Sequence, residues 1–145
     1  MTDAIAAANK RLVRRFYKEV YSDWNMSLVD EAVSPRFISH DWPAGSPKGP
    51  DGFRGFYSEI RTALPDGRYE VDDIISEGDK VVVRWRLVGT HKGDFRGIAP
   101  TGQAIVLKGI AIYRLEDGKL MERWVVTDLH GLLEEMRQAS ELEVA

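Results

Sequence analysis

Apolar residues recur along the first third of the chain at a helical period. Ile5, Leu12, Phe16 and Val20 fall on one stripe that Ala8, Val13 and Tyr17 widen, which predicts a long first helix. Ser27-Leu28-Val29-Asp30 resembles a capping box and predicts a short second helix over 27–33, closed by Pro35. Residues 36–40 read as a brief strand and 41–49, rich in Pro, Gly and Ser, as a loop. Pro50 suits the first position of a third helix whose face is Phe53, Phe56, Tyr57, Ile60 and Leu64, and Pro65 stops it. From Tyr69 the period changes to two. Strands are predicted over 69–75, 80–90, 105–114 and 120–128, with a turn at 76–79 and a hairpin at Asp117-Gly118. Leu129, Leu132, Leu133 and Met136 mark a closing helix, and the acidic tail beyond is expected to fray.

Helices first and then a run of antiparallel strands is the α+β pattern. Three helices cannot cover both faces of a four-stranded sheet, so one face is lined by helices and the other meets water or a second subunit. Both parities of the second strand are partly apolar: Val81, Val83, Trp85 and Leu87 alternate with Val82, Arg84, Arg86 and Val88. That mixture predicts a half-covered outer face, as in a homodimer formed through the sheet.

With 145 residues, 43% hydrophobic and 30% charged, the chain fits a single globular domain of 1–145 with its core over about 10–136. Its formal charge of −3 offers no electrostatic footprint for nucleic acid. The one basic cluster, Lys10, Arg11, Arg14, Arg15 and Lys18, lies opposite the apolar stripe and reads as a solvated helix face. Cysteine is absent, which removes disulfides, thiol catalysis and cysteine-ligated metals. The N-terminus lacks a signal-peptide pattern and no apolar run reaches membrane-spanning length, so a cytoplasmic protein without membrane contact is expected.

Several blocks in the second half resemble one family. They are Asp79-Lys80-Val81-Val82-Val83-Arg84-Trp85, Gly89-Thr90-His91-Lys92-Gly93, Gly97-Ile98-Ala99-Pro100-Thr101-Gly102, Tyr113-Arg114 with Asp117-Gly118-Lys119, and Trp124-Val125-Val126-Thr127-Asp128 with Gly131-Leu132-Leu133. Phe37 and His40-Asp41 before the glycine- and proline-rich loop fit the same pattern. In order and spacing these blocks are similar to the SnoaL-like polyketide cyclases. The resemblance implies the cone-shaped α+β fold of the nuclear-transport-factor-2-like superfamily: a curved antiparallel sheet, N-terminal helices on its concave face, and a pocket between. It also implies frequent homodimers, and aldol ring closure without metal or cofactor on a small hydrophobic or aromatic molecule. Two positions depart from the family. Glu122-Arg123-Trp124 stands where family cyclases often carry Glu-His-Trp, and Leu107-Lys108-Gly109 where they often carry a second histidine.

Ring closure by aldol chemistry needs a base to take a proton from carbon and a group to hold the charge that moves onto oxygen. Asp128 is the leading base candidate. It shares a strand face with Trp124 and Val126, and it matches the family aspartate associated with acid–base work. The competing reading makes it the cap of the helix that begins at Leu129. His40 matches a family histidine at the pocket mouth and could donate to a substrate carbonyl or shuttle a proton; a backbone-bonded structural histidine is the alternative. His91 shares parity with Trp85 and Leu87 and either shapes its turn or joins the chemistry, while His130 is expected on the exposed side of the last helix. Trp42, Trp85 and Trp124 suit a flat ligand, with Trp42 at the rim, and Tyr17 and Tyr57 offer hydroxyls to an oxyanion; core packing explains the same residues. The three histidines and Asp41 lack the spacing of a zinc or iron site, so no metal is expected. A binding module without turnover and a hydrolase with an Asp–Arg–Asp network remain open. The latter requires Arg84, Arg86, Arg123 or Asp73 to face inward.

Overall fold

The computed structural model describes residues 2–144, with side chains for 3–141. Helix α1 (Thr2–Arg15) continues into one π-helical turn, Phe16–Val20, in which the Tyr21 N–H donates to the Phe16 carbonyl five residues back at 2.9 Å. This wider turn holds Phe16, Tyr17, Val20 and Tyr21 together on the buried side. Helix α2 (Met26–Ala32) leads directly into strand β1 (Val33–Ser39), and α3 (Pro50–Ala63) begins with Pro50 in its first turn, as expected. Strands β2 (Arg68–Glu77), β3 (Lys80–Thr90), β4 (Ala104–Glu116) and β5 (Lys119–Thr127) follow, and α4 (Leu129–Val144) closes the chain. Helix α4 extends well past Met136, where the sequence suggested fraying; the final residue of the acidic tail lies outside the described residues.

The strands form a five-stranded sheet in the order β1-β5-β4-β3-β2. Neighbours are antiparallel except β1, which runs parallel to β5. The sheet is therefore mixed rather than wholly antiparallel with four long strands: the segment read as a brief strand is its fifth member. Pro35 is tolerated there because β1 is an edge strand whose missing N–H takes no bond from the ladder. Asp117 and Gly118, with φ of 50° and 75°, make the tight β4–β5 hairpin that their sequence announced.

Helix α1 packs on β2 and β3, and α3 packs on β1. Val81, Val83, Trp85 and Leu87 of β3 and Ile105, Leu107, Ala111, Tyr113 and Leu115 of β4 are buried beneath the helices. The opposite face leaves Ile75, Val106, Ile110 and Val126 exposed, and on the same face Arg86 pairs with Asp72 at 2.8 Å and Glu70 at 2.9 Å. The connection after β3 contacts the body of the domain at several points. Phe95 and Ile98 are buried and exchange both backbone bonds, Lys92 and Gly93 donate to the Ala63 carbonyl, and Arg96 pairs with Glu59 at 3.0 Å.

Candidate active site

The ends of β1 and β5 build a strongly polar patch on the helix-covered face. The backbone ladder runs Ser39 beside Arg123 and continues with the His40 N–H donating to the Arg123 carbonyl at 2.9 Å. A β-bulge between Leu120 and Glu122 inserts Met121 and reverses the alternation of β5. Leu120 faces inward before it, and Arg123, Val125 and Thr127 face inward after it. The guanidinium of Arg123 is consequently buried, with its residue only 2% exposed. Its Nε donates to Ser39 Oγ at 2.9 Å, and Nη1 donates to Tyr21 Oη at 3.3 Å and to Tyr57 Oη. Asp41, whose Oδ1 accepts a hydrogen bond from Ser39, stands 3.7 Å from Nη2.

Aromatic rings complete the box. Those of Trp42, Phe53, Tyr57 and Tyr113 lie 5.6–5.8 Å from the guanidinium carbon, within the range of cation–π attraction. The hydroxyls form a chain in which Tyr113 donates to Tyr17 at 2.9 Å and lies 3.0 Å from Tyr21. Burial pushes the Tyr17, Tyr21, Tyr57 and Tyr69 hydroxyls above the ordinary tyrosine value, so at neutral pH they are protonated donors and not bases. Burial works against the Arg123 charge while the tyrosine oxygens and Asp41 favour it, and the guanidinium stays protonated.

Beside this patch is a partly open cavity lined by Tyr17, Asp41, Tyr57, Tyr69, Arg123 and Thr127 on its polar side. Phe56, Ile60, Trp85, Leu107, Ala111, Val125 and Leu129 form the rest of the wall. It offers about 40 Å³ to the centre of a water-sized sphere, room for about three waters. Gly109 gives Trp85 its place: a Cβ there would fall on the indole ring. A cation and neutral hydroxyl donors converging on an apolar cavity are suited to holding negative charge on an oxygen, in surroundings that strengthen the interaction.

Residues 11–136 match the family model of the SnoaL-like polyketide cyclases. The chain belongs to that family. A candidate SnoaL-like polyketide cyclase from Jannaschia sp. CCS1 is similar over 92% of this chain and 94% of its own, at 26% identity and a TM-score of 0.81. A candidate polyketide cyclase from Acidithiobacillus ferrooxidans is similar over 91% and 96%, at 28% identity and a TM-score of 0.77. AclR of Streptomyces galilaeus, a candidate hydroxylase, is similar over 92% and 83%, at 28% identity and a TM-score of 0.77. No curated protein matches. The SnoaL-like fold expected from the sequence blocks is thus borne out, while its members carry names from different reaction classes and the fold alone does not select one.

Within this SnoaL-like domain the structure gathers Tyr17, Tyr57 and Trp85 around the cavity, as expected. Trp42 packs behind it against Phe37, Phe53 and Arg123 instead of standing free at a rim. Asp128, His40 and Trp124 fall elsewhere. Reversal of parity at the bulge turns the row Trp124–Val126 outward, and Asp128 borders the open groove on that outer face with Arg84, Lys108 and Val126. Its Oδ1 accepts the Gly131 N–H at 3.0 Å and its carbonyl the Leu132 N–H at 3.1 Å, so it caps α4. His40 stacks on Trp124 at 5.2 Å and bonds Glu122 at 2.7 Å, also outside. His91 is fully buried but away from the cavity, its Nδ1 accepting the Thr101 N–H at 3.3 Å. His130 is exposed, as expected. Sequence reasoning did not place Asp41, Tyr69 and Thr127 at the cavity, and weighed Arg123 only as a conditional partner. The available signal was the substitution of arginine for the family's frequent histidine between Glu122 and Trp124. Of an Asp–Arg–Asp network, only Asp41 and Arg123 meet at the cavity, since Arg84 and Arg86 face outward.

Proposed function

We propose that the chain is a cofactor-independent enzyme of proton transfer at carbon, acting on a small hydrophobic carbonyl compound by intramolecular aldol cyclisation or a related isomerisation. The observation that supports this reading is the buried Arg123 guanidinium, which shares a small apolar cavity with the Tyr57 hydroxyl and the Asp41 carboxylate. In this scheme Asp41, not Asp128, takes the proton from the carbon next to the carbonyl. The electron pair moves onto the carbonyl oxygen, where Arg123 and Tyr57 hold it. The enolate carbon then bonds to a second carbonyl carbon of the same molecule, and the resulting alkoxide takes back the proton carried by Asp41. Isomerisation is the shorter course, in which the proton returns to a different carbon.

Exchange of solvent deuterium into aryl methyl ketones such as acetophenone, followed by NMR, tests the first step without knowledge of the natural substrate. The wild-type protein accelerates exchange, Asp41→Asn lowers the rate roughly 10²–10⁴-fold, and Asp128→Asn leaves it unchanged. A wild-type protein without effect removes the enzyme reading in favour of a binding module. Loss confined to Asp128→Asn returns the base to Asp128.

The same reading includes a homodimer through the outer sheet face, supported by exposed Ile75, Val106, Ile110 and Val126. Val126→Lys, on the most exposed of these, is expected to give a monomer by light scattering where the wild type gives a dimer; a monomeric wild type removes the proposal.

A further inference from the structure

Arg123 is a buried cation whose compensation is incomplete. A charge this far from water is held by close opposite charge or by a full set of hydrogen bonds. The guanidinium has five N–H donors. Nε and Nη1 are engaged by Ser39, Tyr21 and Tyr57, which are all neutral acceptors. The carboxylate nearest to Nη2 is Asp41 at 3.7 Å, beyond hydrogen-bond reach, and its Oδ1 is bonded to Ser39. The outer face shows what a completed pair looks like in the same chain: Arg86 meets Asp72 at 2.8 Å and Glu70 at 2.9 Å. Arg123 borders the cavity, so the under-compensated cation adjoins a space where a ligand head group could sit, and the rest of the wall includes Phe56, Ile60, Trp85, Leu107 and Val125.

We infer that the cavity takes a small carboxylic acid with an apolar body, its carboxylate pairing with Arg123 in place of the loose contact to Asp41. Two oxygens on one carbon match the fork of a guanidinium, which a single ketone oxygen does not. Space for about three waters, from about 40 Å³, accommodates a carboxylate head and the first atoms of its body. Asp41 is then the internal competitor: it neutralises Arg123 in the empty protein and is released when the ligand arrives. The inference deepens the function proposed above and rests on it for the choice of cavity; the substrate becomes a carbonyl compound that also bears an acid group, whose carboxylate takes Arg123 and leaves the enolate oxygen to the Tyr57 hydroxyl.

Titrations of wild-type protein with isobutyrate and benzoate, read by the fluorescence of Trp85 among the other tryptophans and by thermal melting, test it. Isobutyramide and benzamide serve as neutral controls of the same shape. The acids bind and raise the melting temperature, and the amides do not. Asp41→Asn lowers the melting temperature of the free protein and tightens acid binding about tenfold, equivalent to about 1.4 kcal/mol; Arg123→Gln abolishes binding. If Arg123→Gln does not fold, the Asp41→Asn result decides alone. Amides that bind as well as acids, or an Asp41→Asn protein with unchanged or weaker affinity, overturn the inference. Acid binding in a protein without deuterium exchange overturns only the enzyme reading, and exchange on neutral ketones without acid binding overturns only this inference.

Discussion

Arg123 on β5 and Arg86 on β3 belong to one sheet and face opposite sides of it. Arg86 lies on the outer face between Glu70 and Asp72, and its raised pKa has those carboxylates as its cause, first the hydrogen bond it donates to Asp72. Exposed pairs of this sort are screened by salt and cost side-chain entropy, so they add little to stability. Arg123 is buried, has its nearest carboxylate, Asp41, 3.7 Å away, and is surrounded by rings and hydroxyls. The difference shows where the fold tolerates an energetic burden. The outer face carries paired charges beside an exposed apolar strip, while the inner face, among the described residues, keeps a single arginine at high desolvation cost, which is the expected signature of a site and not of a stabilising device.

The largest effect that sharpens this contrast comes from removing each arginine. Arg123→Ala leaves the Tyr57 and Tyr21 hydroxyls and Ser39 without their shared donor and opens a hole in the aromatic box, and should destabilise the protein by about 3–5 kcal/mol. Arg86→Ala should melt within error of wild type. Chemical denaturation of both variants is the check. Equal losses would mean that the buried and exposed pairs do the same structural work, and the contrast would fail.

A smaller effect is expected from Gly109→Ala on β4, directly opposite Trp85 in the register. The added methyl falls on the indole ring, so Trp85 must move into the cavity or the strands must part. Overpacking of this kind costs about 1–3 kcal/mol. Tryptophan fluorescence should shift, and binding of any cavity ligand should weaken more than stability does. A variant that is destabilised yet binds acids normally would place the ligand away from Trp85. Lys108, its neighbour with the opposite parity, is exposed and serves as the control.

The fold was largely legible because its signals are local. The period-two run over β3 (Lys80–Thr90) was read with the bounds the strand has, Pro50 marked the start of α3, and Asp117-Gly118 placed the hairpin. The site was less legible because it depends on one residue of register. Strict alternation from Leu120 assigns Trp124, Val126 and Asp128 to the buried side. The extra residue at Met121 moves them all out and brings Arg123 in. A β-bulge leaves no composition signal, and here it exchanges every candidate on the strand. The parallel pairing of β1 with β5 was equally hidden, since it joins segments far apart in sequence; without it nothing places Asp41 beside Arg123. Tyr57 was found because it projects from α3, whose helical period nothing disturbs, and Tyr17 because the π turn keeps it on the buried side of the first helix.

The smallest expected effect concerns Asp128, the residue that changed faces. Its carboxylate accepts the N–H of Gly131 in the first turn of α4. Asp128→Ala should therefore cost about 1 kcal/mol, and Asp128→Asn nearly nothing, because asparagine caps as well as aspartate. Gly131 permits a sharper test. A Cβ at Gly131 would collide with the Asp128 carboxylate, so Gly131→Ala sacrifices the cap while gaining the better helix propensity of alanine, worth up to about 1 kcal/mol. The two terms oppose, and the single variant should melt near wild type. In an Asp128→Ala background the collision is gone and only the propensity gain remains, so the same substitution should stabilise. Thermal melting of the four proteins forms a double-mutant cycle whose coupling energy is the cap. Additive changes would show that Asp128 is not holding the helix, and would free its carboxylate for another role on the outer face.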